Sequence, residues 1–318
     1  MAAPVPVLTF NNGIKVPSIG LGCWMGAPGG GEAVERMCKT ALQTGYRHLD
    51  TASGYNNEEY VGRAVRESGI PREEIFVVTK LPPWGHGKVQ QYFDASFKAL
   101  GLDYIDLYLM HFPQQMTEEP GPWRGTATPH GENPQFIQTW KEMEKLLETG
   151  KVKSIGVSNF SIKTLRELLP RCTVVPVTNQ VELHPCLPSS ELKAFCEERG
   201  IILTAYSPLG KGKTVFFTDP DIKSIAEKYS ATPAQVVISW GVQRETIVIP
   251  KSETPERIKQ NITLVKLSDE DVKTVDELHQ KPGMHRSLAN YHAEDGTVFG
   301  WSYEELGWPM SKGGVVVE

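Results

Sequence analysis

Short apolar, β-branched runs recur eight times along this chain, each separated from the next by a segment of helical period. Few folds accommodate that pattern. In order the runs are "SIGLGCW", "YRHLD", "EIFVVTK", "DYIDLYLMH", "VKSIGVSN", "VPVTNQVEL", "IILTAYS" and "TIVIPK". Between them lie amphipathic stretches such as "GEAVERMCKTALQTG", "NEEYVGRAVRESG", "VQQYFDASFKALG" and "PQFIQTWKEMEKLLETG". Several of these end on Gly, the residue that most readily closes a helix. Eight strand–helix units predict a (β/α)8 TIM barrel, an α/β fold. Ahead of them, "VLTFNNGIKVP" sets an Asn-Gly pair between two extended runs. It predicts an N-terminal β-hairpin, placed to plug the barrel bottom. A length of 318 residues suits one large barrel, expected as a single domain over 1–318.

Composition narrows the partners. The formal net charge is −5 and no long run of like charge occurs, so nucleic acid and anionic membranes are not expected as partners. Five scattered cysteines (Cys23, Cys38, Cys172, Cys186, Cys196) without C-x-x-C read as reduced thiols. The N-terminal residues lack a basic region followed by a long apolar one, and no stretch approaches the ~20 apolar residues of a membrane span. The expectation is a soluble cytoplasmic protein, monomeric because no exposed apolar stripe stands out. The sequons at Asn159 and Asn261 would be silent there.

The strand ends carry the chemistry. The second run stops at Asp50, the third at Lys80 and the fourth at His111; the fifth ends at Ser158-Asn159. The sixth holds Gln180, the seventh Tyr206-Ser207, and the eighth ends at Lys251. In a barrel all these ends open on one face. Tyr55 stands five residues beyond Asp50 in a Gly/Asn-rich loop, "TASGYNNEEY", and suits neither a helix face nor a strand face. It is expected to be aimed at the same mouth. Three long connections, Phe112 to Asn133, Pro208 to Asp219 and the tail from about Gln280, can lie over that mouth.

Asp, Tyr, Lys and His together suit a carbonyl oxygen. A tyrosine hydroxyl, with a pKa near ~10, is a weak acid, and a neighbouring ammonium lowers that pKa. Lys80 is expected to act so on Tyr55, with Asp50 holding the lysine and His111 donating a hydrogen bond to the carbonyl oxygen. None of the four supplies electrons, so a hydride donor is implied. Ser158, Asn159 and Gln180 offer groups to clamp a carboxamide, and Tyr206 a face on which a nicotinamide can stack. Lys251, Ser252 and Arg257, grouped at the start of a helix, suit a phosphate monoester, which favours NADPH over NADH.

These motifs together resemble the aldo-keto reductase family. "GYRHLDTA…Y…NE…VG", "VVTKL", "LGLDYIDLYLMHFP", "GVSNF", "NQVELHP" and "IPKS…R…N" stand in the family's order from about Leu8 into the tail. The likeness is to the aldose/aldehyde-reductase kind, with the fungal type of polyol-forming reductase among the candidates. The resemblance implies a catalytic set of Asp50, Tyr55, Lys80 and His111. It implies NADP(H) contacts at Ser158, Asn159, Gln180, Tyr206, Ser207, Leu209, Lys251, Ser252, Arg257 and Asn261. Trp24 would line the substrate pocket. Three positions depart from the pattern: Phe112 follows the histidine where tryptophan is common, "KLPPW" delays an indole to Trp84, and Gln260 replaces an acidic residue that contacts adenine. Phe112 and Trp84 are therefore expected in the substrate wall, and Gln260 near the adenine.

Other signals carry less. Neither "GLGCWM" nor "GAPGGGEAVER" supplies G-x-G-x-x-G, and "GKGKT" has Ser207 where a phosphate-binding loop needs its first glycine. That segment is better used as a flexible loop over the cofactor pyrophosphate. His86, His130, His184, His279, His285 and His292 show no metal-ligand spacing, so no metal is expected. The reading is NADPH-dependent reduction of an aldehyde, a short aldose such as glyceraldehyde, erythrose or xylose, with Tyr55 as proton donor. Two alternatives are a non-catalytic NADP(H)-binding sensor on the same fold and a cofactor-independent isomerase or aldolase. The complete catalytic set argues against the first, the Lys251/Arg257 cluster against the second.

Overall fold

A computed structural model describes residues 5–119, 125–131, 135–212 and 215–317. The expected connection from Phe112 to Asn133 and the "GKGKT" loop lie partly outside these residues. Eight parallel strands form the centre: β3 (Leu21–Gly22), β4 (His48–Asp50), β5 (Phe76–Leu81), β6 (Ile105–Met110), β7 (Val152–Ser158), β8 (Thr178–Glu182), β9 (Ile202–Tyr206) and β10 (Ile247–Val248). They follow hairpin strands β1 (Val7–Thr9) and β2 (Lys15–Pro17) and pair in sequence order. The outer helices are α1 (Gly31–Gln43), α2 (Glu58–Arg66), α3 (Val89–Leu100), α4 (Gln135–Leu146), α5 (Ile162–Leu168), α6 (Ser190–Glu197), α7 (Val215–Thr218), α8 (Pro220–Lys228), α9 (Pro233–Gln243), α10 (Pro255–Ile262) and α11 (Asp269–Asp276). The barrel closes where Gly20 N–H donates to Val248 O (3.0 Å) and Val248 N–H to Ser18 O (2.8 Å). No helix among the described residues is long and apolar enough to cross a membrane.

The central strands are buried on both faces, as parallel strands beneath helices must be. Their period of two divides the core. Phe76, Val78, Leu107, Leu109, Ile247 and Ile249 pack inside the barrel, while Val77, Tyr108, Ile155 and Leu203 face the helices. That alternation positions the mouth. Lys80 lies two residues beyond inward-facing Val78, and Asp50 pairs with Val78 in register. His111 lies two beyond inward-facing Leu109, Ser158 pairs with Gln180, and Glu182 pairs with Tyr206. One phase thus delivers all these side chains to the inner rim.

The hairpin plugs the opposite end. Leu8 pairs with Val16 around the Asn12–Gly13 turn, where Gly13 takes φ 84°, a left-handed value glycine adopts without steric cost. Phe10 and Val16 enter the interior cluster, and Asn12 Nδ2 donates to Ser154 Oγ at 3.0 Å near the start of β7. At the mouth, the tail and the long loop after β6 hold one another. Gln114 donates to Val298 O (2.9 Å), and the Trp301 indole donates to Thr128 O (2.7 Å). The tail lies over the barrel mouth, as the sequence suggested.

Helices α2 and α3 meet through Gly62, where a methyl group would sit 1.9 Å from Leu100 O. Gly62→Ala must part the two helices, at a cost of at least ~2 kcal/mol. The check is a lowered urea midpoint with an unchanged m-value.

Candidate active site

The site is built on a buried ion pair. Lys80 is fully enclosed, and its ammonium donates to Asp50 Oδ1 at 2.5 Å and to Thr51 O at 2.8 Å. Gln180 Nε2 donates to the other carboxylate oxygen at 2.7 Å. Burying the two charges separately would cost several kcal/mol each, so pairing and these extra hydrogen bonds are what make the position tenable.

Tyr55 reaches the pair from the short helical turn Ser53–Tyr55, which ends on Asn56 in a left-handed conformation. Asn57 fixes this loop. It accepts from the Thr51 hydroxyl at 2.6 Å and donates to Cys23 O at 2.8 Å, tying the turn to the ends of β3 and β4. The Tyr55 ring centre lies 5.1 Å from Lys80 Nζ, 4.9 Å from the Trp24 ring and 5.6 Å from His111. The four expected residues therefore do converge. The expected direction of the Tyr55 pKa does not hold in this state. Burial, then the Asp50 carboxylate, push it well above the usual tyrosine value, because Asp50 lies against the ammonium and adds its own negative field. Tyr55 thus keeps its proton. For His111, burial and then Lys80 hold the pKa well below the ordinary histidine value, so its imidazole is neutral.

From this corner opens a cavity of about 480 Å³. Along one arm lie Asn159, Gln180, Tyr206, Ser207, Leu209, Lys211 and Lys251. Asn159, itself at φ 65°, donates to His111 O (2.9 Å) and accepts from the Tyr206 hydroxyl (2.8 Å). Ser158 donates to Gln180 O at 2.7 Å. At the far end the Lys251 ammonium donates to Glu253, and Arg257 donates to Thr254 Oγ1 at 2.6 Å beside the start of α10. On the same helix Gln260 is exposed and Asn261 buried, while Ser252 is buried just ahead of it. An aromatic face and amide groups at one end, and two cations beside a helix start at the other, suit a nicotinamide dinucleotide phosphate.

The other arm is apolar and aromatic. Trp24, Met25, Phe112, Tyr291 and Phe299 line it. Phe112 stacks on His111 with ring centres 5.5 Å apart, and Phe299 meets Phe112 edge-on at 5.0 Å. Trp84 sits in the turn Pro83–Gly85, and the tail adds Tyr291 and Phe299 to the wall. Sequence reasoning missed those two and also His86. That buried histidine directs Nε2 at Phe112 O (3.1 Å), a position that requires a donor, so Nε2 carries the proton. Burial lowers its pKa to about 4, with the Phe112 carbonyl opposing, which keeps the ring neutral. Cys23 and Cys38 lie with sulfurs 3.7 Å apart as free thiols, and no group of three or more His, Cys, Asp or Glu among the described residues could hold a metal ion.

Comparison with known proteins agrees with this geometry. The model described as "Aldo/keto reductase family" matches residues 18–280. Glycerol 2-dehydrogenase (NADP(+)) of Saccharomyces cerevisiae is 43% identical over 292 residues, covering 88% of this chain and 93% of the relative. Aldehyde reductase YPR1 of the same yeast is 43% identical over 293 residues, 88% of this chain and 92% of the relative. The crystal structure of a Bombyx mori aldo-keto reductase in complex with NADP superposes with a TM-score of 0.81 at 33% identity, covering 91% of this chain and 96% of that one.

Removing Asp50's charge isolates the ammonium. Asp50→Asn should cost about 3 kcal/mol or more of folding stability, far more than an exposed pair would. Urea unfolding checks this, and a change below ~1 kcal/mol would contradict the site's electrostatics.

Proposed function

The chain belongs to the aldo/keto reductase family, and from that premise we propose that it reduces a short aldose, such as glyceraldehyde, erythrose or xylose, to the alcohol with NADPH. The observation that carries this reading is the buried Lys80–Asp50 pair beneath a protonated Tyr55 and beside a neutral His111. The carbonyl oxygen is held between the tyrosine hydroxyl and the imidazole, both of which donate hydrogen bonds to it. NADPH, when bound, supplies the hydride. As negative charge grows on the oxygen, Tyr55 gives up its proton, because an alkoxide is a far stronger base than a phenolate. Lys80 then stabilises the phenolate left behind, and Asp50 keeps the ammonium in place.

Asn159 and Gln180 hold the carboxamide of the cofactor, with Ser158 bracing Gln180, and Tyr206 offers its ring to the nicotinamide. Ser207, Leu209 and Asn261 would contact the cofactor, Lys251, Ser252 and Arg257 would hold the 2′-phosphate, and Gln260 would stand near the adenine. Trp24 and Phe112 form the substrate wall. The aldose preference is supported by relatives named for glycerol and for aldehydes. The protein is read as a cytoplasmic monomer, one barrel domain over 1–318.

Two variants test the reading. Tyr55→Phe should lower kcat roughly 10²–10⁴-fold while NADPH still quenches tryptophan fluorescence with near-normal affinity; full activity would end the assignment. Arg257→Ala should raise the KM for NADPH by about tenfold or more and leave that for NADH unchanged, since only NADPH carries the phosphate. An equal effect on both cofactors would remove Arg257 from that role.

A further inference from the structure

A second buried carboxylate sits at the mouth, outside the carbonyl chemistry. Glu182 ends β8 opposite Tyr206, with 4% exposure, and is not in the described cavity wall. Its partners come chiefly from the tail, more than a hundred residues later. Oε1 accepts from the Leu288 amide (2.7 Å), the Ala289 amide (3.0 Å) and His184 Nε2 (2.9 Å). Oε2 accepts from the Ser287 hydroxyl at 2.5 Å. Burial alone would push the carboxyl upward, but His184, Ser287 and the Leu288 amide outweigh it and hold the pKa at about 2. The acceptor is thus ionised throughout the working range, and its bonds to the tail are charge-assisted.

Just past the anchor, the tail reaches the site. Ala289, Asn290 and Tyr291 form part of the cavity wall. The Tyr291 hydroxyl lies 2.5 Å from that of Tyr206 and 3.4 Å from Glu182 Oε2. Tyr206 donates to Asn159, leaving its oxygen to accept from Tyr291, and Asn159 in turn donates to the main chain of His111. One hydrogen-bonded path therefore runs from the tail to the residue that orients the carbonyl. Farther along, Gln114 and Thr128 hold the tail at Val298 and Trp301; within 287–291 Ser287 N–H also donates to Gly314 O (2.8 Å) and Leu288 is buried, while Glu182 accepts in turn from Ser287, Leu288 and Ala289.

We propose that Glu182 is a positioning residue for the reduction: it anchors the tail across the barrel mouth and so sets Tyr291 in the substrate wall, governing how tightly the aldehyde is held without touching it. This rests on the carbonyl-reducing reading above. A carboxylate that merely stabilised the fold would, when removed, weaken the whole barrel and affect every kinetic constant alike. An anchor acts on one segment and on substrate binding.

The test compares wild type, Glu182→Ala and Glu182→Gln as full chains, using glyceraldehyde and p-nitrobenzaldehyde as substrates. Amide hydrogen exchange is read in parallel. For Glu182→Ala, exchange over 287–291 should rise at least ~10-fold with 298–303 and the strands unchanged. The KM for either aldehyde should rise about tenfold, with kcat and NADPH affinity each within ~3-fold. Glu182→Gln should fall between, because its amide oxygen still accepts from the tail. If Glu182→Ala does not fold, Ser287→Ala replaces it, removing one arm of the anchor while the charge stays, and should raise KM by about threefold. Faster exchange with unmoved KM overturns the proposal, and so does a parallel loss of kcat, KM and NADPH affinity. A wild type that turns over neither aldehyde fails the carbonyl-reducing reading; an active wild type with an unmoved KM in the variants fails only the anchor.

Discussion

Everything at the barrel mouth is arranged around an ammonium that has no access to water. Lys80 lies on the inner face of β5, one step above the apolar interior that Val78 and Leu109 help fill. A lone charge there would be intolerable, and Asp50 from the next strand answers it at 2.5 Å. Asp50 in turn needs its second oxygen satisfied, which brings in Gln180 from across the barrel. Three strands far apart in sequence are thereby locked at their ends, and the Tyr55 ring, 5.1 Å from the ammonium, is placed over the result. The pair gives limited net stability for its burial, and its value lies in specifying one arrangement and in storing positive charge where a phenolate will form.

Around that fixed centre the site divides into strand ends and the loops that hang from them. The strand ends are rigid because each is hydrogen-bonded on both sides within a closed barrel. The substrate wall is hung from loops: Trp24 beyond β3, Phe112 beyond β6, and Tyr291 and Phe299 from the tail. Polar links tie these loops down, among them His86 to Phe112 O, Gln114 to Val298 O and Glu182 to the tail amides. Chemistry thus resides on the scaffold, and substrate selection on the loops and tail that cross its mouth.

The sequence made much of this legible, for a physical reason. A period of two along a parallel strand determines which side chains face inward, so once eight strands are recognised, Asp50, Lys80, His111 and Gln180 must converge. Tyr55 was legible as a residue with no structural use of its own. The tail's place over the mouth was legible but its anchor was not, because Glu182 meets Ser287 across 105 positions and neither residue is unusual where it stands. The sign of the Tyr55 shift was misjudged for a related reason: a sequence shows that a lysine is near, but only packing reveals that its charge is already answered and the phenol desolvated.

The measurement that tests this account most directly is the loss of reduced-nicotinamide absorbance when purified wild-type protein meets a panel of carbonyls, with NADPH and then NADH. The panel holds glyceraldehyde, erythrose, xylose, an aromatic aldehyde and a simple ketone. A proton-donating site over a buried ammonium, with a phosphate-reading end on its cofactor arm, predicts brisk turnover of the short aldoses with NADPH and far less with NADH. NADPH that binds but is consumed by none of these carbonyls would contradict the account and leave the Lys80–Asp50 pair without the function assigned to it.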